Sequence, residues 1–434
     1  MCGIQITKSK KENGISHRGI SSVYGVKDKW HYHFASLPLS SNEKGLEQPL
    51  KLDSGILLFN GEIFNYKDFG KYKSDLHYLK DLFSRGIHNK RFNTEYKKWD
   101  GFWAICYIDE KGVLFFTDPL GKKQLYYSKL GICSEIKPIN NDSLTMPSPK
   151  FGTLNTKFNS VLRAMPGKFY VYEYENGLAY GLKINIKDYL FQPPSTLTLY
   201  ELINKSVKLR SEKSYGKLGL LFSGGLDSSI IAYHLLENNI PFTAISIDNN
   251  EKERCEKISS YLGFKPIFIS NKITEEEKVE VFRSYEYDMD LGSVIPQYLL
   301  FKKCKELGLH TVLTGDGADE LFGGYSRSQE SDTYEYDVLM ELPYYHHVRL
   351  DRCSMAHTVE CRNPFLASDI VNFSRKLPQI ERTNKYILKK IYNEKIPFVG
   401  SKKRPLRPTG SKEDNYNNGK KLFDYAFKKR VPAH

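Results

Sequence analysis

No apolar run in the 434-residue chain approaches the roughly 18–20 residues that a membrane-crossing helix needs, and the start lacks a basic-then-apolar signal segment. A soluble, cytoplasmic protein without a membrane partner is expected. Cysteine is scarce and scattered, at positions 2, 106, 133, 255, 304, 353 and 361 with no Cys-x-x-Cys, which argues against a disulfide framework or a structural zinc site. Most of the seven read as small buried hydrophobes. Internal repeats, heptad arrays, zinc-finger spacing and RNA-recognition aromatic signatures are missing as well.

What the chain does have is positive charge, 64 Lys+Arg against 51 Asp+Glu for a net +13. Residues 401–434 hold ten Lys/Arg against three Asp/Glu, and Lys402-Lys403-Arg404 reads as a solvated run. Basicity alone is weak support for nucleic acid, because anionic substrates need cations too. Nucleic acid is therefore disfavoured as a partner. Hydrophobic content of 40% with 13% aromatics supports packed cores, and the length is too great for one core, so two domains are expected.

The first ~180 residues carry short apolar segments broken by turn signals, as in antiparallel sheets covered by helices. Gly55–Phe59 leads to Asn60-Gly61, a tight-turn dipeptide, and Trp103–Ile108 and Gly112–Phe116 flank Asp109-Glu110-Lys111 as a hairpin. Leu76, Leu79 and Leu82 are at helical spacing. Pro193-Pro194-Ser195-Thr196 is the candidate linker. Beyond it, strands at Leu218–Phe222, Phe242–Ile247, Pro266–Ile269 and Thr311–Leu313 alternate with helices near 251–262 and 297–307, the pattern of a parallel α/β sheet.

Ser223-Gly224-Gly225-Leu226-Asp227-Ser228-Ser229 falls between an apolar strand and a helix. Glycines let backbone approach a pyrophosphate, and a helix start offers N–H groups with partial positive charge. The three serines add hydroxyl donors, and Asp227 could hold Mg²⁺. The string resembles the pyrophosphate loop of the adenylating ATP pyrophosphatases and is not Gly-x-x-x-x-Gly-Lys-Ser/Thr; that resemblance implies AMP and pyrophosphate, not ADP, as products. Asp316, Asp319 and Glu320 lie within Gly315–Tyr325; three acids in five positions repel one another unless a metal or a cationic reacting group offsets them. At the other end, loss of Met1 would give Cys2 an α-amine with pKa near ~7.7–8.0 as its own general base. Asn60 and Gly61 could supply a side-chain and a backbone N–H to an oxyanion. Taken singly, Cys2 reads as a chance residue and Asn60-Gly61 as a plain turn.

Taken together, Cys2-Gly3-Ile4, His17-Arg18-Gly19, Phe59–Tyr66, Ser74-Asp75, Asp118-Pro119-Leu120-Gly121 and Met165-Pro166-Gly167 resemble the glutaminase half of glutamine-hydrolysing asparagine synthetases. Ser223–Ser229, Gly315–Tyr325, Met355-Ala356-His357, Val359–Leu366 and Lys385–Leu388 resemble the synthetase half, in the family's order. The resemblance implies an α+β glutaminase domain over 2–190, layered α/β/β/α with antiparallel sheets, then an α/β ATP-pyrophosphatase domain over 196–434 with a parallel sheet. It implies that ATP, aspartate and glutamine give asparagine, glutamate, AMP and pyrophosphate, with ammonia passing through an internal tunnel.

By the same resemblance, Cys2 is the nucleophile, Asn60 and Gly61 form the oxyanion hole, and Glu62 and Asp75 hold glutamine's amino group. Leu221, Ser223, Gly224, Gly225, Asp227, Ser228, Ile247, Gly315, Asp316 and Lys385 bind ATP, and Lys385 meets pyrophosphate. Asp227 and Asp319 hold Mg²⁺. Arg349 and Glu320 lie by the acceptor, and Asp316 matches an acid that deprotonates ammonia. A homodimer is an expected assembly. The chain departs from the family at Ser36, where an Arg grips glutamine's carboxylate, and at Ile20-Ser21; Arg18 is the candidate substitute grip. It is also shorter than typical members after Ala232 and Tyr325, so trimmed loops are expected. Amide transfer to another carboxylate, use of free ammonia, and a non-catalytic relative stay open.

Overall fold

The computed structural model describes residues 2–10, 14–37, 47–84, 90–141, 153–175, 179–182, 195–212, 214, 216–287 and 291–396. Pro193-Pro194 of the candidate linker and the basic 401–434 segment lie outside the described residues. The strands are β1 (Cys2–Thr7), β2 (Ser21–Lys27), β3 (Trp30–Ser36), β4 (Leu50–Leu52), β5 (Gly55–Ile63), β6 (Gly101–Asp109), β7 (Gly112–Thr117), β8 (Tyr126–Ser128), β9 (Gly131–Cys133), β10 (Leu162–Arg163), β11 (Phe169–Tyr172), β12 (Ala179–Leu182), β13 (Leu218–Leu221), β14 (Thr243–Ile247), β15 (Ile267–Ile269), β16 (Thr311–Leu313) and β17 (Glu360–Arg362).

Two antiparallel sheets, ordered β10-β8-β9-β1-β3-β2 and β12-β11-β7-β6-β5-β4, stack in the first half. Alternation along the strands decides what faces what. Ile4, Ile6 and Phe34 of one sheet share a buried cluster with Leu58, Cys106 and Phe115 of the other. The opposite faces of β5 and β6, through Leu57, Phe59, Trp103 and Ile105, pack on Leu76, Leu79, Leu82 and Phe83 of the Asp75–Ser84 helix. The hairpin at 109–111 forms as its turn residues require, with the Asp109 carboxylate accepting from the N–H groups of Lys111 (2.9 Å) and Gly112 (3.2 Å).

The second half opens with the Leu199–Ser211 helix, set by a capping box of Thr198 and Glu201. Its sheet is fully parallel, ordered β15-β14-β13-β16-β17. From β13 the chain moves one way to β14 and β15, then returns to the other side for β16 and β17. The switch point therefore lies at the carboxyl ends of β13 and β16, where such sheets bind ligands. The helix expected near 297–307 begins earlier, at Leu291, and carries Pro296 in its first turns. As the sixth residue of that helix, Pro296 offers no N–H to the Gly292 carbonyl one turn before it.

Candidate active site

The structure corrects the reading of Asn60-Gly61 as a turn. β5 continues through both residues to Ile63, with Asn60 opposite Ala104 and Gly61 opposite Trp103. The glycine answers to close approach: a Cβ at position 61 would stand 2.0 Å from the Phe102 carbonyl oxygen. Because side chains alternate, Asn60 shares the face of Ile56 and Leu58 that looks towards β1. There the Cys2 N–H donates to Asn60 Oδ1 at 3.0 Å. That bond leaves the amide's other end, Nδ2, as a buried donor with no hydrogen-bond partner, an arrangement that costs free energy unless a ligand oxygen accepts from it. Glu62 follows on the same face, and the Asp75 carboxylate accepts from the N–H groups of Ile63 (3.0 Å) and Leu76 (3.1 Å). Cys2, Asn60, Glu62 and Asp75 are thus gathered along one strand, all buried.

Arg18 does not stand in for the missing carboxylate grip. It is fully buried, and its guanidinium is committed to Glu135 (3.0 Å) and Asp351 (2.8 Å). Ser36 sits opposite Cys2 in the β1–β3 ladder, so the position expected to carry the cation is next to the nucleophile but holds only a hydroxyl.

At the switch point lies a cavity of about 290 Å³. Leu221, Ser223, Asp227, Ser228, Ile247, Gly315, Asp316 and Asp319 line it, joined by Asn249, Glu251 and Leu300, which sequence reasoning missed because no motif contains them. Gly224 turns the chain with φ +62, and a Cβ there would meet Cys255 Cα at 2.8 Å. Gly225 caps the Leu226–Glu237 helix without a side-chain hydrogen bond, so the first-turn N–H groups are left for an anion. Ser228 Oγ accepts from Ser223 N–H at 3.2 Å, which closes the loop on itself.

The acids of 316–320 are balanced by the protein's own cations. Lys385 Nζ lies 2.6 Å from Asp227 Oδ2 and 2.6 Å from Asp319 Oδ1, joining the two motifs. Burial would lower the Lys385 pKa, but the charges of Asp227 and Asp319 outweigh it and raise it. Arg349 lies 3.8 Å from Asp316 and donates to Ser293 Oγ at 2.6 Å. Glu320 is different. Burial, then the neighbouring Asp319 charge, pushes its carboxyl up to about 8, while burial and Arg349 hold His346 well below its ordinary value. The two side chains approach to 3.3 Å, with Tyr325 donating to the same Glu320 oxygen. His346 was not anticipated from sequence; its spacing of three from Arg349 is the signal that places both on one helical face.

Residues 198–336 and 332–405 match the family model for asparagine synthase. An asparagine synthetase (glutamine-hydrolyzing) of Gallus gallus is 27% identical over 394 residues, covering 78% of this chain and 68% of that protein. A Methanocaldococcus jannaschii protein assigned the same activity is 28% identical over 352 residues, covering 74% of this chain and 64% of its own length. Residues 198–405 thus match an asparagine synthase family domain, and the chain is similar to glutamine-hydrolysing asparagine synthetases over most of its length. The chain spans about two thirds of the length of these relatives. Among the described residues no helix is long and apolar enough to cross a membrane.

Proposed function

We propose that the chain amidates aspartate to asparagine through an aspartyl-adenylate, using ammonia released from glutamine at Cys2 and yielding AMP and pyrophosphate. The observation that carries this reading is the cavity at the switch point, lined by residues of the 223–228 loop and by Asp316 and Asp319, with Lys385 paired to Asp227 and Asp319 of its lining. An uncapped helix start suits the leaving pyrophosphate, and Lys385 is poised to follow its charge. Asp227 and Asp319 fit Mg²⁺, because their carboxylates converge on one cation position and offer the hard oxygen donors that ion takes. Magnesium bound there neutralises phosphate charge. In the first half, the Cys2 sulfur attacks glutamine's carboxamide carbon, the α-amine left by removal of Met1 takes the thiol proton, and Asn60 Nδ2 with Gly61 N–H receives the developing oxyanion. The carbon–nitrogen bond then breaks as that proton passes to the departing ammonia, and water hydrolyses the thioester to glutamate and the free thiol. Glu62 and Asp75 hold the substrate's amino group. Ammonia then attacks the adenylate carbonyl beside Arg349, Asp316 accepts a proton, and AMP departs. The division into 2–190 and 196–434 follows from these separate tasks.

One observation favours a variant of this reading: with Ser36 opposite Cys2 and Arg18 committed elsewhere, free ammonia competes well as nitrogen donor. Incubation with ATP, Mg²⁺, aspartate and either glutamine or ammonium, with AMP, pyrophosphate and asparagine measured, tests both. ADP as product refutes the loop assignment. Pyrophosphate released only with another carboxylate refutes aspartate as acceptor.

A further inference from the structure

The His347–Met355 helix serves both halves of the molecule. At its start, His346 lies against Glu320, and Arg349 lies against Asp316, which lines the switch-point cavity. Two residues beyond Arg349, Asp351 is buried between two cations of the first half. Its Oδ2 accepts from Arg18 Nη2 at 2.8 Å and its Oδ1 from Lys123 Nζ at 2.7 Å. Burial alone would raise this carboxyl, yet Arg18, Lys123 and Arg352 hold it down at about 2. Arg18 in turn lies against the nucleophile's strand: its Nε is 3.5 Å from the Cys2 carbonyl oxygen, and a Cβ on Gly3 would meet its Cδ at 3.0 Å. Arg352 reaches the same strand through Ser134. Its Nη1 donates to the Ser134 carbonyl at 2.8 Å, and Ser134 exchanges two hydrogen bonds with Ile4.

We propose that Asp351 is a positioning residue that ties the strand bearing Cys2 to the helix bearing Arg349, so that glutamine turnover responds to occupancy of the acceptor site. This rests on the function proposed above. The physical path is short and contiguous: a rigid helix, one buried carboxylate, one guanidinium and the β1 backbone. Close-packed elements of this kind shift as units and do not deform smoothly. An ion pair serving stability alone could be replaced by apolar side chains. Here the carboxylate spans the two halves and ends on the strand that carries the nucleophile.

The test measures glutaminase kcat/KM of the full chain with and without saturating ATP and aspartate, beside ammonia-dependent pyrophosphate release. In the parent chain, ATP and aspartate are expected to stimulate glutaminase about fivefold or more, the scale of an ordinary coupling between sites. In Asp351→Asn the stimulation falls below about twofold while ammonia-dependent release persists. Because Asp351→Asn strands two buried cations, the charge-balanced Asp351→Asn/Lys123→Met variant is measured with it and is expected to behave alike. Full stimulation in either variant overturns the proposal, and so does loss of the ammonia-dependent reaction in both, which would make Asp351 a folding residue. A parent chain that forms amide from glutamine, but whose glutaminase ignores ATP and aspartate, overturns the coupling alone. A parent chain that forms no amide from either donor overturns the proposed function instead.

Discussion

Replacing Lys385 with methionine isolates the charge balance beside the switch-point cavity. Lys385 Nζ lies 2.6 Å from an oxygen of each of Asp227 and Asp319, so those oxygens are no more than about 5 Å apart. Without the ammonium, two carboxylates at that separation repel by about 3 kcal/mol at an effective dielectric of ~20. Asp319 is 32% exposed, so solvent screens part of this, and about 1–2 kcal/mol of lost stability remains. For a domain of this size the melting temperature should fall by about 2–8 °C. Millimolar Mg²⁺ should restore the variant by taking the vacated position between the carboxylates, and should stabilise the parent chain less, because there Lys385 competes for the same oxygens. Thermal unfolding with MgCl₂, against NaCl of equal ionic strength, reads this without any turnover. ATP–pyrophosphate exchange should be lost in the variant with or without added metal. An unchanged melting temperature, or a fall that NaCl repairs as well as MgCl₂ does, would refute the reasoning.

Cys2→Ala should abolish glutamine-dependent synthesis and leave ammonia-dependent synthesis intact; loss of both in the same preparation would contradict separate tasks for the two halves. Asn60→Ala removes one oxyanion donor and should cost about 10²–10³ in glutaminase kcat, again sparing ammonia use. His347 is held neutral by burial, at about 3, while its Nδ1–H donates to the Leu120 carbonyl at 2.7 Å. A depressed pKa gives stability that is present above the unfolded value of about 6.5 and lost as pH falls towards 3. Between those limits the unfolded chain binds one more proton, so the loss approaches about 1.4 kcal/mol per pH unit. His347→Gln should remove that slope in denaturant titrations run from pH 7 to pH 5, and an unchanged slope would count against a neutral buried imidazole.

Much of the site was legible in the chain because its chemistry is local. The 223–229 loop needs only an apolar strand before it and a helix after it, and the structure supplies both at β13 and Leu226–Glu237. The strands at 243–247, 267–269 and 311–313 and the 109–111 hairpin follow from short-range periodicity and turn residues. Asn60-Gly61 misled for the same reason. The dipeptide is a strong local turn signal, but pairing with all of β6 held the strand straight through it. Arg18 also misled: its charge was plain in the sequence, but Glu135 and Asp351, 117 and 333 residues away, determine what it binds.

The order of residues by itself pointed to the strand-to-helix loop at 223–229, which is written in seven consecutive residues, whereas the thiol at position 2 stood out only beside the other motifs spread along the chain. Tertiary structure decided how their charges are spent. Lys385 reaches Asp227 across 158 residues, and Asp351 reaches both Arg18 and Lys123 from the far half of the chain. Coulombic partners are chosen by distance in space, and burial, which sets how strongly they act, exists only once the chain has folded.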